Sequence, residues 1–164
     1  MQPTLSEFMQ TSPDIMLEEI ARRYDVSLQM VIEALPAKTL IDGKHFDAVW
    51  DSVTRWGEVT TLVNNHDIIL EFHGDLPPGR YGHGYFNLHG KQGLSGHIRA
   101  NHCQRIAFVE RPFMGMATAS VIFLNATGEA MLKVFVGRDS HRQLLTDQLT
   151  AFRQLAESLQ QGEN

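Results

Sequence analysis

The segment Gln104–Val136, QRIAFVERPFMGMATASVIFLNATGEAMLKVFV, decides the fold class of this chain. β-Branched and aromatic residues are concentrated in three runs, Gln104–Glu110, Thr118–Leu124 and Met131–Val136, and this composition favours strands. The last two runs are separated by Asn125-Ala126-Thr127-Gly128, a segment of turn-forming residues. Connections this short join antiparallel neighbours, because a parallel crossover needs a dozen or more residues. We therefore predict an antiparallel sheet.

The same period-two pattern extends upstream of this segment. Four further runs are predicted strands: Glu58–Val63, Ile68–His73, Gly82–Leu88 and Leu94–Arg99. Turn residues separate them at 74–79 and again at 90–93. The sheet region, 57–137, is thus predicted to be a large antiparallel meander.

Helical patterns flank the predicted sheet on both sides. Residues 1–56 carry apolar residues at helical spacing, with helix starts predicted at Ser12-Pro13-Asp14 and at Ser27 and a linker running through Asp42-Gly43. A third apolar stripe comprises Phe46, Val49, Trp50 and Val53 and stops at Gly57. A long terminal helix over 139–161 is predicted to be capped by Asp139 or Ser140. The predicted architecture is a single α+β domain over 1–164, with the terminal helix lying across the sheet.

Composition narrows the functional classes. The chain has 164 residues, 43% of them hydrophobic, and a formal net charge of −5, which is unfavourable for binding nucleic acid. A lone cysteine, Cys103, excludes an internal disulfide framework and fits a reducing compartment. The first residues lack the basic and apolar regions of a signal peptide, and no apolar run is long enough to span a bilayer. We expect a soluble, cytoplasmic protein without membrane insertion.

Histidine is the residue type that points to a binding site. The chain has eight histidines, and five of them lie between positions 73 and 102. Imidazole is the commonest metal ligand and changes charge near neutral pH. On the predicted strand 82–88, alternation places Tyr81, His83, Tyr85, Asn87 and His89 on one face. The alternative is an ordinary solvent-exposed face of the sheet.

Three other motifs give weaker indications of function. Residues 17–35, LEEIARRYDVSLQMVIEAL, have the form of a helix-turn-helix, but the second helix carries no basic residue, so a structural helical hairpin is favoured over a DNA-binding regulator. His97 and His102 are five residues apart without the third ligand that a catalytic zinc ion needs. Met114 and Met116, beside Gly115, are more typical of core packing than of a ligand pocket.

Several long motifs resemble the HutX/ChuX-type family of intracellular haem-utilisation carriers. They are TLVNNHDIILEF (61–72), HGYFNLHGKQGLSGHI (83–98), RPFMGMATASVIFLN (111–125) and MLKVFVGRD (131–139), with the helical segment 17–36 in its expected place. The resemblance implies a fold like one half of the larger HemS-type haem-trafficking proteins. It also implies a homodimer that mimics the two-repeat protein, with haem b as the carried ligand and a haem-degrading enzyme as the acceptor.

The resemblance also assigns candidate residues. The family's tyrosine in the GYxNL motif, an iron ligand in some members, falls on Tyr85, and the histidine of its Gly-His-Ile motif falls on His97. Close relatives have a second histidine at the position that is Asn64 here, and its absence makes Tyr85 the stronger candidate for the iron ligand. His66 lies two residues further and shares the face of Asn64 if the strand extends that far. Ferric haem accepts a phenolate oxygen, and His83 is a candidate donor to that anion. Arg80, Lys91 and Arg99 are candidate partners for the propionates.

One alternative uses the same haem site. A haem-degrading enzyme would open the macrocycle with oxygen and an external reductant, since the chain shows no flavin or nicotinamide motif. The sequence therefore favours a carrier without excluding the enzyme.

Overall fold

A computed structural model describes residues 1–91 and 93–163. Gln92, within the predicted turn 90–93, and Asn164, the last residue of the predicted domain, lie outside the described residues. In the described part, the strands are β1 (Lys38–Asp42), β2 (Glu58–Asn64), β3 (Ile69–Asp75), β4 (Gly79–Gly82), β5 (Tyr85–His89), β6 (Ser95–Ile98), β7 (Arg105–Phe113), β8 (Met116–Leu124) and β9 (Ala130–Phe135). The helices are α1 (Leu5–Gln10), α2 (Leu17–Tyr24), α3 (Leu28–Glu33), α4 (Phe46–Val53) and α5 (Thr146–Gln161). The α+β prediction is confirmed.

The strands form two sheets instead of one continuous meander. Six strands pair in the order β1-β7-β8-β9-β2-β3, every pair antiparallel, and β4-β5-β6 form a separate antiparallel sheet. The predicted meander holds for β7-β8-β9, where short turns connect consecutive strands. The sheet is then extended by non-consecutive strands, because β2 pairs with β9 and β1 with β7.

Each face of the six-stranded sheet has its own hydrophobic core. On one face, α4, α5 and the three-stranded sheet bury a cluster that includes Trp50, Phe86 and Phe123. The ring centroid of Trp50 lies 5.6 Å from that of Phe86 and 5.8 Å from that of Phe123. On the other face, α1–α3 pack over β1, β7 and β8, with Ile20 and Ile32 fully buried. Full burial of such side chains is worth about 1.5–3 kcal/mol each. The helices leave the β2–β3 side of this second face uncovered.

Local hydrogen bonding explains where the predicted helix boundaries were wrong. Asp14 does not cap a helix: its carboxylate accepts the backbone N–H of Met114, and α2 begins only at Leu17. Asp139 likewise accepts the N–H groups of His141 and Gln143 in a turn, and α5 begins at Thr146. In both places an aspartate satisfies loop N–H groups instead of the first helical turn.

Three further predictions for residues 1–56 have definite outcomes. The predicted cap at Ser27 is confirmed, since its hydroxyl accepts the N–H of Met30. Residues 38–42, predicted as part of a linker, form the edge strand β1 instead. The apolar face of α3, including Val31 and Ile32, is buried in the core on this sheet, as expected of a structural helical hairpin.

Candidate functional site

A tight hairpin organises the site. Gly82 pairs with Tyr85, so His83 and Gly84 are the two central residues of the turn that joins β4 to β5. Their φ angles are 54° and 83°, the signature of a type I′ turn, which glycine adopts without steric cost. The predicted single strand 82–88 is therefore two strands, and His83 lies exposed at the tip of the turn.

The turn divides the predicted polar stripe. Tyr85, Asn87 and His89 share one face of β5, as predicted, but Tyr81 lies across from Phe86 and contacts its ring at 5.0 Å between centroids. Phe86 and Leu88 are buried against the core. The outward face of the three-stranded sheet thus presents Tyr85, Asn87 and His97, because His97 pairs with Asn87.

A hydrogen-bond network holds His97. Its Nδ1 lies 2.6 Å from Oδ1 of Asn87. The Nδ2 of Asn87 donates to the carbonyl oxygens of Gly82 at 3.1 Å and Arg80 at 3.2 Å. Because carbonyl oxygens only accept, the amide nitrogen must face them and the amide oxygen must face His97. Nδ1 of His97 is consequently the donor, and Nε2 carries the free lone pair.

Arg99 holds Tyr85 in the same cluster. Its Nη2 donates to the Tyr85 hydroxyl at 2.8 Å, and its Cζ lies 4.7 Å from the ring centroid. The Tyr85 and His97 rings are neighbours, with centroids 5.6 Å apart. Tyr85 is half-buried and His97 is exposed, so both side chains are at least partly accessible to a ligand.

The other two candidates lie elsewhere. His66 is exposed in the turn between β2 and β3. Because β2 ends at Asn64, the strand does not extend far enough to place His66 on the same face as Asn64. The structure therefore brings Tyr85 and His97 together but not His66 and His83. Among residues 1–91 and 93–163, no three His, Cys, Asp or Glu side chains are grouped to hold a metal ion.

The uncovered half of the six-stranded sheet forms a cavity of about 630 Å³. None of the four candidate residues lines it. Its floor is apolar, with Leu62, Ile122 and Phe135, and His73 and Arg111 lie on its walls. Sequence reasoning missed this cavity; the alternation on β2, β8 and β9 carried a signal, but only the position of the helices shows which sheet face they leave open.

Two cations that line the cavity, Lys133 and Arg111, are engaged by other groups of the protein. Lys133 is buried and forms an ion pair with Glu18 of α2. Arg111 donates to the carbonyl oxygens of Pro13 and Ile15, and burial lowers the pKa of its guanidinium. These contacts tie the segment before α2 to β7 and fix one wall of the cavity.

Tyr81, on the inner face of the three-stranded sheet, has a strongly raised pKa. Tyr81 donates a hydrogen bond to Asp47 of α4. Burial, followed by the hydrogen bond and the charge of Asp47, raises the pKa of Tyr81 to about 12. Tyr81 therefore stays protonated at neutral pH and connects the three-stranded sheet to α4.

The comparisons with known proteins agree with this fold. The family model described as haem utilisation ChuX/HutX matches residues 39–155, and the chain belongs to that family. It is 29% identical to the intracellular heme transport protein HutX of Vibrio cholerae over 98% of this chain and 85% of that protein. It is 54% identical to the solved structure of the heme binding protein ChuX, with a TM-score of 0.90 over 95% of this chain and 99% of the other.

A more distant likeness concerns the fold alone. The holo form of PhuS, a heme-binding protein from Pseudomonas aeruginosa, is 16% identical, with a TM-score of 0.73. The match covers 94% of this chain but 44% of PhuS. The expectation of a fold like one half of a larger protein is thereby confirmed. In the described residues, none of the helices has the length and apolar content that a membrane crossing requires.

Proposed function

We propose that this protein binds haem b in the cytoplasm and carries it to a haem-degrading enzyme. Family membership and the names of two relatives, the heme transport protein HutX and the heme binding protein ChuX, support haem as the ligand. The observation that carries the site is the outward face of the three-stranded sheet, where Tyr85 contacts Arg99 and lies beside His97.

This face supplies one axial ligand to the haem iron. Tyr85 and His97 lie side by side on neighbouring strands and so approach a macrocycle from the same side. Axial ligands stand on opposite sides of the ring, so only one of the two residues ligates. A neutral imidazole binds as it is, whereas a phenol must first lose its proton.

The hydrogen bonds favour His97 for that role. Nε2 of His97 has no hydrogen-bond partner in residues 1–91 and 93–163 and can bind iron without losing a proton, whereas Tyr85 would first have to become a phenolate, with Arg99 as its donor. We therefore assign the iron to His97 and give Tyr85 a contact with the macrocycle. This reverses the order that the sequence favoured. Arg80, exposed across the β4–β5 pair from Asn87, is a cation on this face that can pair with a propionate.

A second copy of the chain completes the proposed carrier. The hairpin of β2 and β3 exposes Val63, Ile68, Ile69 and Leu70, each at least 40% accessible. Val63 and Leu70 are paired residues and form an exposed apolar patch on one face of the hairpin, whereas Ile69, paired with Asn64, lies on the other face. An exposed apolar patch of this kind marks an interaction site. Two copies also match the length of PhuS, since one copy covers 44% of it. We expect a dimer by sedimentation, and Leu70→Glu to yield monomer; a monomeric wild-type protein would refute this.

Titration of ferric haem followed by absorption tests the proposal. We expect one haem per subunit. His97→Gln should shift the Soret band and weaken binding, and Tyr85→Phe should keep the band position. His141→Gln removes an exposed histidine from a distant loop and is the matched control. A shifted band in Tyr85→Phe with an unchanged band in His97→Gln would transfer the ligand role to Tyr85.

A second measurement separates carrier from enzyme. The haem complex is incubated with ascorbate under air in the presence of an iron chelator. The Soret band is followed to detect loss of the macrocycle, and the chelator detects released iron. A carrier keeps its macrocycle, apart from the slow loss that free haem also shows. Progressive, protein-dependent loss of the band with release of iron would assign haem degradation to this protein instead.

A further inference from the structure

We infer that Asn87 is the positioning residue of this site: it fixes His97 in the Nδ1–H tautomer and thereby makes Nε2 the nitrogen that meets iron. The inference rests on the proposed function. It starts from the β-sheet register, since Asn87 and His97 are direct partners on β5 and β6. Their side chains emerge on the same face and meet at 2.6 Å.

The orientation of the amide is set by the hairpin backbone. Nδ2 of Asn87 faces the carbonyl oxygens of Arg80 and Gly82, at 3.2 and 3.1 Å. Rotating the amide by half a turn would place Oδ1 against both oxygens and lose two hydrogen bonds. The I′ turn at His83 and Gly84 brings the Gly82 carbonyl to this position. The turn therefore helps to set the orientation of the Asn87 amide and, through it, the tautomer of His97.

The consequence for iron follows from imidazole chemistry. An exposed neutral histidine can carry its proton on either ring nitrogen. Histidines that ligate metals donate their other ring N–H to a neighbouring acceptor, which sets both the tautomer and the ring orientation. Asn87 supplies that acceptor before any haem is present. Asn87 acts only through His97 and does not itself contact the iron.

Two substitutions separate this role from a merely structural one. Asn87→Leu removes the acceptor for His97 and the donor to the two carbonyl oxygens. Asn87→Asp also removes the donor but keeps an oxygen acceptor for Nδ1–H. The two variants therefore share the loss of the hairpin hydrogen bonds and differ in whether the tautomer is fixed. Circular dichroism and denaturant unfolding establish that each variant is folded.

The first readout needs no haem. Nitrogen NMR of protein with labelled histidine should show His97 as the Nδ1–H form at a pH where the ring is neutral. Asn87→Leu should shift it towards the Nε2–H form, and Asn87→Asp should retain the wild-type form. An unchanged His97 tautomer in Asn87→Leu would overturn the inference.

The second readout is ferric haem affinity. Asn87→Leu should weaken binding by about 10- to 100-fold, the usual effect of removing the partner of a ligating histidine. Asn87→Asp should restore most of the loss, and Asn87→Leu should add little in a His97→Gln background. Equal affinities of wild type and Asn87→Leu, or equal losses in the two Asn87 variants, would refute the positioning role. Failure of the proposed function would look different: wild-type protein would bind no haem although His97 still showed the Nδ1–H form.

Discussion

Arg99 donates a 2.8 Å hydrogen bond to the hydroxyl of Tyr85 while its guanidinium carbon lies 4.7 Å from the centroid of the same ring. The contact joins the residue after β6 to the first residue of β5. It gives the phenol oxygen a partner on the surface that we assign to haem. Tyr85 is thus an acceptor held in place, a role that phenylalanine cannot fill.

Replacing Tyr85 by phenylalanine should therefore cost stability but not the iron ligand. Loss of a partly exposed hydrogen bond is expected to lower the free energy of unfolding by about 0.5–1.5 kcal/mol, measured by denaturant titration. Tyr24→Phe is the matched control, because Tyr24 donates a 2.9 Å hydrogen bond to Pro3, far along the chain. If Tyr85→Phe loses haem entirely while Tyr24→Phe retains it, the phenol is the ligand.

The I′ turn between β4 and β5 makes opposite predictions for its two central residues. Gly84→Ala forces a side chain into a φ of 83° and should destabilise the protein by about 1 kcal/mol. His83→Asn places a residue that favours this turn at a φ of 54°, so stability should be equal or higher.

The same pair of variants tests whether His83 has a haem role. His83→Asn should leave ferric haem binding unchanged, because His83 lies at the tip of the turn and not on the face of Tyr85 and His97. Both variants are compared by urea unfolding and by haem titration. Weaker haem binding by a fully folded His83→Asn protein would assign His83 to the site.

The longer strands were predictable from sequence, and the turn inside the three-stranded sheet was not. β2, β3, β7, β8 and β9 match the predicted runs to within a few residues because β-branched and aromatic residues are concentrated in them. β2 alternates between buried and more exposed residues, whereas β7 and β8 are buried on both faces. Tyr81–His89 shows the same alternation, yet the chain reverses at His83 and Gly84. A His-Gly pair is an uncommon I′ turn, since asparagine or aspartate usually precedes the glycine.

The candidate site was predictable in its residues but not in its arrangement. Tyr85 and His97 were named from motifs, and their contact follows from the pairing of β5 with β6. The role of Asn87 needed the positions of two backbone carbonyl groups, which no residue pattern encodes. The cavity over Leu62 and Phe135 needed the placement of α1–α3, which depends on packing across the whole sheet.

Tyr81 should make stability sensitive to alkaline pH. Its pKa in the folded protein is raised to about 12 from an ordinary value of 10.0, by burial first and then by the hydrogen bond and charge of Asp47. The unfolded chain therefore loses this proton first. Titration of Tyr81 therefore causes no pH dependence of the free energy of unfolding below about pH 10. It lowers this free energy as the pH rises from about 10 to about 12.

Two variants isolate that effect. Urea unfolding at about pH 9 and about pH 11 should show a smaller loss of stability in Tyr81→Phe than in the wild-type protein, and Asp47→Asn should also reduce it. The difference should be modest, since Tyr81 is 56% exposed. Identical pH dependence in wild type and Tyr81→Phe would mean that another group causes the alkaline loss.

The thiol of Cys103 should react only very slowly in the folded protein. The residue is 6% exposed, and burial raises the pKa of its thiol to about 12. Because the thiolate is the reacting species, a disulfide reagent at about pH 8 should label the native protein very slowly. Labelling should become fast through the urea transition in parallel with circular dichroism, and Cys103→Ala gives the background. Rapid labelling without urea would show that the segment between β6 and β7 opens locally, which would contradict the packing of Cys103 in the core beside Ile41 and Phe46.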